Sequence, residues 1–202
     1  MKKLLVLMLA LLVSSAMLAQ GSRKSVNRNS FLAFHAGPSF PVGVFSSSYP
    51  SNGEAGFAKP GYTIGINYGK QFKSGAGIAA TAFYNQYQTK DLVLTFDTGD
   101  GTNTVTLSMD QWYMYGAAGG PSLEFTPLKN MSTGMHVMVG LAGVRLPAFY
   151  YDDEEFTKAD WGPSMVIQAG MDLKMNMGKS TFIFINGEYQ YMRPQFSLLN
   201  VF

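Results

Sequence analysis

The stretch GYTIGINYGKQF, residues 61–72, divides into an apolar set and a polar set when every second residue is read. This period is typical of a β-strand with one apolar and one polar face. In a soluble sandwich the apolar face packs on a core, whereas in an outer-membrane barrel it faces lipid and the polar face points inward. The two sets are Tyr62, Ile64, Ile66, Tyr68, Lys70, Phe72 and Gly61, Thr63, Gly65, Asn67, Gly69, Gln71.

The same alternation recurs along the chain, and no segment has the 3.6-residue period of a helix. We therefore predict an all-β protein with seven clear strands, longer than the roughly 5–6 residues of sandwich strands. The phase is lost near Gly143, where we expect a β-bulge. The predicted strands are about 30–44, 60–73, 76–98, 102–126, 134–150, 161–177 and 180–193.

Composition separates a lipid-facing protein from a soluble one. Only 14% of the 202 residues are charged, against roughly 25% in a typical soluble domain. The chain contains no cysteine, so it has no disulfides. Without Lys2 and Lys3 of the leader, the 15 basic residues become 13 and balance the 13 acidic ones. This neutrality gives no support to nucleic-acid binding.

The N-terminus has the features of a secretory signal peptide. Two lysines precede the apolar run Leu4 to Val13, which is too short to span a bilayer as a helix. We place the signal peptide at residues 1–19, with cleavage after Ala16 as an open alternative. Residues 20–29 would then be a periplasmic segment, and residues 30–202 the barrel.

The connections between predicted strands alternate in length. Short turns at 73–75, 127–132 and 178–180 alternate with longer loops at 45–59, 98–103 and 151–160. This pattern is typical of outer-membrane barrels, with short periplasmic turns and long extracellular loops. Aromatic residues also lie at two levels around an aliphatic middle, as lipid interfaces favour. They are Tyr62, Tyr84, Tyr113, Tyr115, Trp161, Tyr189 and Tyr191 toward the loops, and Phe72 and Phe125 toward the turns.

On the leader ending LAQ, the opening FLAFHAGPSFPVG and strands such as GYTIGINYGKQF, the chain resembles the outer-membrane β-barrel domain family, a group of small porin-like or PorT-like proteins. The resemblance implies an antiparallel up-and-down transmembrane barrel of about eight strands in the bacterial outer membrane. It also implies contacts with outer-membrane lipid, periplasmic chaperones and the barrel-assembly machinery. Many members of the family have no known activity.

The seven predicted strands leave the eighth strand open. Either Phe196 to Phe202 is a short closing strand, or the sequence stops before the eighth; its seven-residue length favours the second reading. The terminal aromatic residue favours the first, because, as the resemblance implies, such barrels often end in an aromatic assembly signal.

Several charged residues have the inward phase. We predict that they form a structural polar network, in which Lys174 contacts Glu124, Asp172 or Glu188 and His136 packs beside them. A barrel of about eight strands is filled by its own side chains and needs such a network. An acid–base catalytic cluster is the alternative. His35 also has the inward phase and belongs to the candidates for such a catalytic group. We expect no catalytic, cofactor-binding or metal-binding residue.

Two loops carry acidic groups. The segment Asp97 to Asn103 has the spacing of a weak calcium loop, but a hairpin turn explains it better, because the bidentate glutamate of such loops is missing. The acidic loop 151–160 either is simply solvated or binds cations or an extracellular partner.

We therefore expect a non-enzymatic outer-membrane barrel with a structural or interaction role. A narrow conduit or carrier for a small solute is the alternative. Less favoured are an outer-membrane enzyme acting on lipid or peptide and a soluble lipocalin-like barrel.

Overall fold

The computed structural model describes residues 30–48, 55–72, 74–97, 101–128, 130–152, 154–177 and 181–194. The described chain is all-β apart from a short 3₁₀ turn at Gly43–Ser46. The strands are β1 Ser30–Ser39, β2 Ala58–Gln71, β3 Ala76–Thr89, β4 Leu92–Asp97, β5 Thr102–Met109, β6 Trp112–Leu128, β7 Met131–Leu146, β8 Phe149–Tyr151, β9 Glu154–Thr157, β10 Asp160–Asn176 and β11 Phe182–Met192.

Seven strands form a nearly closed barrel in the order β1-β2-β3-β6-β7-β10-β11, and every neighbouring pair is antiparallel. The prediction of seven up-and-down barrel strands is therefore confirmed. Cα atoms of β1 and β11 approach within 8 Å, and the Phe31 ring lies 5.9 Å from Phe182 and 6.1 Å from Phe184. No strand ladder joins β1 to β11 in the described residues, so a gap remains between them.

The alternation of residue types matches the two faces of the barrel wall. Outer positions are exposed and mostly apolar, and Leu141 and Phe34 are about three-quarters exposed, at 73% and 74%. Inner positions are mostly buried and include polar residues such as Asn67, Asn85 and Gln168. The structure exposes on the outer face Ile64, Ile66, Ile167, Met171, Ile183 and Ile185, with Leu173 partly exposed.

A row of aromatic rings crosses the outer face near the long loops, at what we call the loop end of the barrel; the opposite end is the turn end. The row consists of Tyr62, Tyr84, Tyr113, Tyr115 and Trp161. Neighbouring centroids lie 6.4 Å apart for Tyr62 and Tyr84, 6.3 Å for Tyr84 and Tyr113, and 5.2 Å for Tyr115 and Trp161. We call this set the aromatic row.

Four of the predicted strands are wrong in length. The first, predicted for 30–44, ends at Ser39, and three others break at the loop end. The segments 76–98, 102–126 and 134–150 each divide into a barrel strand and a shorter one. The shorter strands form a second antiparallel sheet in the order β4-β5-β8-β9. The predicted loop 151–160 contributes β9 to this sheet, with Asp153 outside the described residues. The breaks at 90–91 and 110–111 span two residues each, so the alternation continues in phase through them.

The expected bulge near Gly143 is also wrong. The register of β7 with β10 runs without a shift from Met131 to Leu146. The apparent loss of phase arises because outer positions of β7 hold Gly143 and Arg145 instead of apolar residues. A Cβ at Gly143 would lie 2.8 Å from the Tyr115 ring, which occupies that space, and the Arg145 guanidinium lies 5.3 Å from the Tyr113 centroid.

The proposed signal peptide 1–19, the segment 20–29 and the closing strand Phe196–Phe202 lie outside the described residues. In the part of the chain that the structure describes, no helix has the length and apolar character needed to cross a membrane.

Candidate functional site: an ion cluster at the turn end

The five charged residues predicted to face inward come together inside the barrel. They are contributed by four strands, β6, β7, β10 and β11, which are neighbours in the sheet. Strands β6 and β10 end at the turn end, whereas β7 and β11 begin there. Residues near the ends of β6 and β10 therefore lie at the same height as residues in the first part of β7 and β11. We call this set the ion cluster; its members are Glu124, His136, Asp172, Lys174 and Glu188.

Lys174 is the centre of the ion cluster. Its ammonium lies 2.5 Å from Oε2 of Glu124 and 3.1 Å from Oδ2 of Asp172. Glu124 also accepts a hydrogen bond from the side-chain amide of Gln71. The ammonium further lies 3.8 Å from the centroid of the Phe31 ring, within cation–π range. Lys174 is thus held by two carboxylates and one aromatic face, so its charge is compensated inside the barrel.

His136 extends the ion cluster toward β11. Its Nδ1 lies 3.9 Å from Oδ1 of Asp172, and its Nε2 lies 3.6 Å from Oε2 of Glu188. Both distances exceed normal hydrogen-bond length, so these are electrostatic contacts. Glu188 has the most accessible side chain of the five residues, at 21%. The contact distances therefore increase across the ion cluster, from the tight ion pair at Lys174 to the looser contact at Glu188.

Glycines on the neighbouring strand provide the space for these side chains. Gly134 lies directly opposite Asp172, and Gly170 lies directly opposite His136. A Cβ at Gly170 would lie 2.6 Å from Nε2 of His136, and a Cβ at Gly134 would collide with the Asp172 carboxylate. The sequence therefore pairs a glycine with a large polar residue at both positions.

The remaining space at the ion cluster is small. The cavity is lined by Asn67, Gln71, Glu124, His136 and neighbouring residues, and it has room for about one or two water molecules. In the described residues, no serine or threonine hydroxyl hydrogen-bonds to a cluster carboxylate or to His136. An acid–base mechanism needs a substrate within reach of the acid or base, and this cavity admits none of appreciable size.

The loop end of the interior is filled by a different group, which we call the aromatic cluster: Phe45, Tyr87 and Trp112. The Phe45 ring, from the 3₁₀ turn, lies 5.2 Å from Tyr87 and 5.3 Å from Trp112. The indole N–H of Trp112 donates to the carbonyl of Gly56 at 2.8 Å. Sequence reasoning missed this cluster, although inward-phase Trp112 and Tyr87 were a signal for it.

The other sequence candidates form no ion pair with the ion cluster in the described residues. His35, on β1, forms no ion pair in the described part of the chain, and its Nδ1 is buried without a hydrogen-bond partner there. Asp97 and Thr102 form the last pair of the β4–β5 ladder, as a hairpin requires, and residues 98–100 of the segment Asp97 to Asn103 lie outside the described residues. Within the described residues, no three acidic or histidine side chains are grouped as metal ligands.

Comparison with known proteins identifies no relative. No protein-family model, no curated protein and no solved structure matches this chain. The resemblance to outer-membrane β-barrel proteins therefore stays a prediction from the sequence.

Proposed function

We propose that the chain is a non-enzymatic integral β-barrel protein of the bacterial outer membrane, with a structural or interaction role. The observation that carries the proposal is the outer face of the barrel. Aliphatic side chains such as Ile64, Ile167 and Ile185 are exposed there in a continuous band, bounded by the aromatic row. A water-facing surface of this kind would be an aggregation liability, whereas a lipid-facing one has this arrangement.

The polar ends of the aromatic row support the same placement. The Tyr62 hydroxyl donates to the Gln86 side-chain oxygen at 2.5 Å, and the Gln86 amide donates to Gln111. Both glutamines lie on the loop side of the tyrosines in their strands. The rings of Tyr62, Tyr84 and Tyr113 are thus apolar toward the aliphatic band and hydrogen-bonded toward the loops. Tyrosines at a membrane–water interface have this orientation.

The filled interior argues against a conduit and against an enzyme. The ion cluster fills the turn end and the aromatic cluster fills the loop end. Between them, Val166 and Gln168 are completely buried. A small barrel filled by its own side chains serves as a scaffold that presents its loops. Measurable single-channel conductance across planar bilayers would contradict this part of the proposal.

Arginine substitutions at two heights test the membrane placement. Ile167 lies in the aliphatic band and is 45% exposed, whereas Val93 lies on β4, beyond the aromatic row, and is 54% exposed. In phospholipid vesicles, Ile167→Arg should lower the free energy of unfolding by about 2–4 kcal/mol if that residue faces the bilayer midplane. Val93→Arg should change it by less than about 0.5 kcal/mol, because the side chain stays in water.

The measurement is reversible urea unfolding followed by tryptophan fluorescence. Equal tolerance of both substitutions, together with a folded protein in buffer without detergent, would contradict the proposal and favour a soluble barrel.

A further inference from the structure

The hairpin formed by β4 and β5 extends past the barrel wall. Its ladder runs from Leu92–Leu107 to Asp97–Thr102, while β8 pairs only with Ser108 and Met109 at its base. The side chain of Thr89 donates to the Met109 carbonyl at 2.7 Å. The outer part of the hairpin is therefore a two-stranded ribbon on a fixed base. An isolated two-stranded hairpin is only marginally stable in water.

The two faces of this ribbon differ. Leu92 and Leu94 lie opposite Leu107 and Val105 on one face. The other face is formed mainly by β-branched residues: Val93, Thr95, Thr104 and Thr106. In the described residues, no helix or strand other than β5 packs closely on β4. Leu92 and Leu94 are half-buried, whereas Phe96 is 51% exposed.

Within the described residues, the outer edge of β4 is not paired with another strand. Among the described strands, only β5 pairs with β4, so one row of its backbone N–H and C=O groups has no strand partner. Natural proteins protect such edges with lysine, proline, a bulge or a cover. From Leu92 to Phe96 the strand contains no proline, no glycine and no charge. The edge is therefore a template on which another extended chain can pair.

The charge of the segments at the loop end indicates which kind of chain can pair with β4. Segments 90–110 and 145–160 hold nine of the thirteen acidic residues and only three of the fifteen basic ones, a net charge of 3 − 9 = −6. The acidic residues are Asp91, Asp97, Asp100, Asp110, Asp152, Asp153, Glu154, Glu155 and Asp160, and the basic ones are Lys90, Arg145 and Lys158. Two of the acidic residues, Asp91 and Asp97, lie at either end of the uncharged part of β4. This distribution attracts a basic partner and repels an acidic one.

We propose that the outer edge of β4 binds an extended, basic segment of a partner protein, which adds to the hairpin as a third strand. Main-chain hydrogen bonds to β4 supply affinity. Alternating side chains of the segment cover the Leu92–Leu94 face, and its basic ends lie near Asp91 and Asp97. This inference does not depend on the membrane placement, because it uses only the sheet at the loop end.

Defined peptides test the proposal on the full-length protein. The probe is a fluorescent peptide that alternates valine and threonine and has lysine at each end. One matched peptide has glutamate at each end, and another has proline at its centre. We expect the lysine peptide to bind with an affinity that falls as salt is added. The glutamate and proline peptides should bind weakly or not at all.

Two substitutions locate the binding edge. Thr95→Lys places a charge on β4 and should weaken binding of the lysine peptide by about fivefold. Thr104→Lys makes the same change on the adjacent strand, directly opposite Thr95, and should have a smaller effect. Asp91→Asn should weaken binding by about two- to fivefold and reduce its salt dependence.

Three results would overturn the proposal. They are equal binding of the lysine and glutamate peptides, an effect of Thr104→Lys as large as that of Thr95→Lys, and no binding by any peptide. Concentration-dependent dimerisation that Thr95→Lys abolishes would instead assign the edge to a second copy of the chain. A protein that fails the vesicle test of Ile167 yet binds the lysine peptide would separate this inference from the membrane proposal.

Discussion

The two ends of the barrel interior are filled by opposite chemistry. At the turn end, Lys174 lies between Glu124 and Asp172, and the packing depends on compensated charge. At the loop end, the Phe45 ring packs against Tyr87 and Trp112, and the packing depends on apolar area. The same wall of seven strands encloses both. The difference shows that the interior of a narrow barrel can be filled in either way.

The two fillings should respond differently to substitution. A buried ion pair contributes little net stability relative to well-packed apolar residues, but removing one partner leaves an uncompensated charge. An aromatic cluster loses stability roughly in proportion to the contact area that is removed. The ion cluster should therefore be sensitive to single changes and tolerant of matched double changes, whereas the aromatic cluster should show no such rescue.

The largest effect is expected for Lys174→Met. The change keeps most of the side-chain volume but leaves Glu124 and Asp172 without their cation, so the free energy of unfolding should fall by about 3–5 kcal/mol. Urea unfolding in vesicles measures it. The double variant Lys174→Met with Glu124→Gln should be more stable than Lys174→Met alone. If the double variant is the less stable of the two, the charges do not act as a compensated set.

An intermediate effect is expected for Gly170→Ala, which tests the space opposite His136. The added methyl group would lie 2.6 Å from Nε2 of His136, so the imidazole must move away from its place between Asp172 and Glu188. Overpacking of this kind costs about 1–3 kcal/mol. Gly187→Ala on β11 is the matched control, because a Cβ there meets no atom within 4 Å. Equal stability of both variants would show that His136 is not confined.

The smallest effect is expected at the loop end, for Tyr87→Phe. The change keeps the ring and removes only the hydrogen bond between the Tyr87 hydroxyl and the Ser39 hydroxyl, which are 2.7 Å apart. We expect a loss of about 0.5–1.5 kcal/mol. Tyr115→Phe is the control, since the hydroxyl of Tyr115 has no hydrogen-bond partner in the described residues. A loss at Tyr87 as large as that of Lys174→Met would remove the contrast between the two ends.

The ion cluster could be predicted from the sequence because two simple rules locate its members. The period of two gives the face, so Asp172 and Lys174 share the inner side of β10. The alternating direction of antiparallel strands gives the height, so the end of β6 and the start of β7 meet the end of β10. Together these rules brought Glu124, His136 and Lys174 to one level without any knowledge of the contacts.

The aromatic cluster and the second sheet could not be predicted by the same rules. Phe45 reaches the interior from a loop, where no period gives a direction. The break between Thr89 and Leu92 inserts two residues, an even number, so the alternation continues in phase and predicts one long strand. The error at Gly143 was the reverse: a continuous strand was predicted to contain a bulge. The Tyr115 ring covers this glycine, so the outer position is filled although the sequence shows no apolar residue there.

The gap between β1 and β11 has a topological consequence. Six antiparallel steps separate the two strands, and an even number of reversals returns the chain to its starting direction, so β1 and β11 point the same way. Direct pairing across the gap would be the single parallel ladder in an otherwise antiparallel wall, with slanted hydrogen bonds. Both β1 and β11 run from the turn end to the loop end. A chain segment that entered the gap from the loop end would therefore be antiparallel to both strands. The direction of a segment in the gap therefore decides whether the barrel closes through antiparallel or parallel pairing.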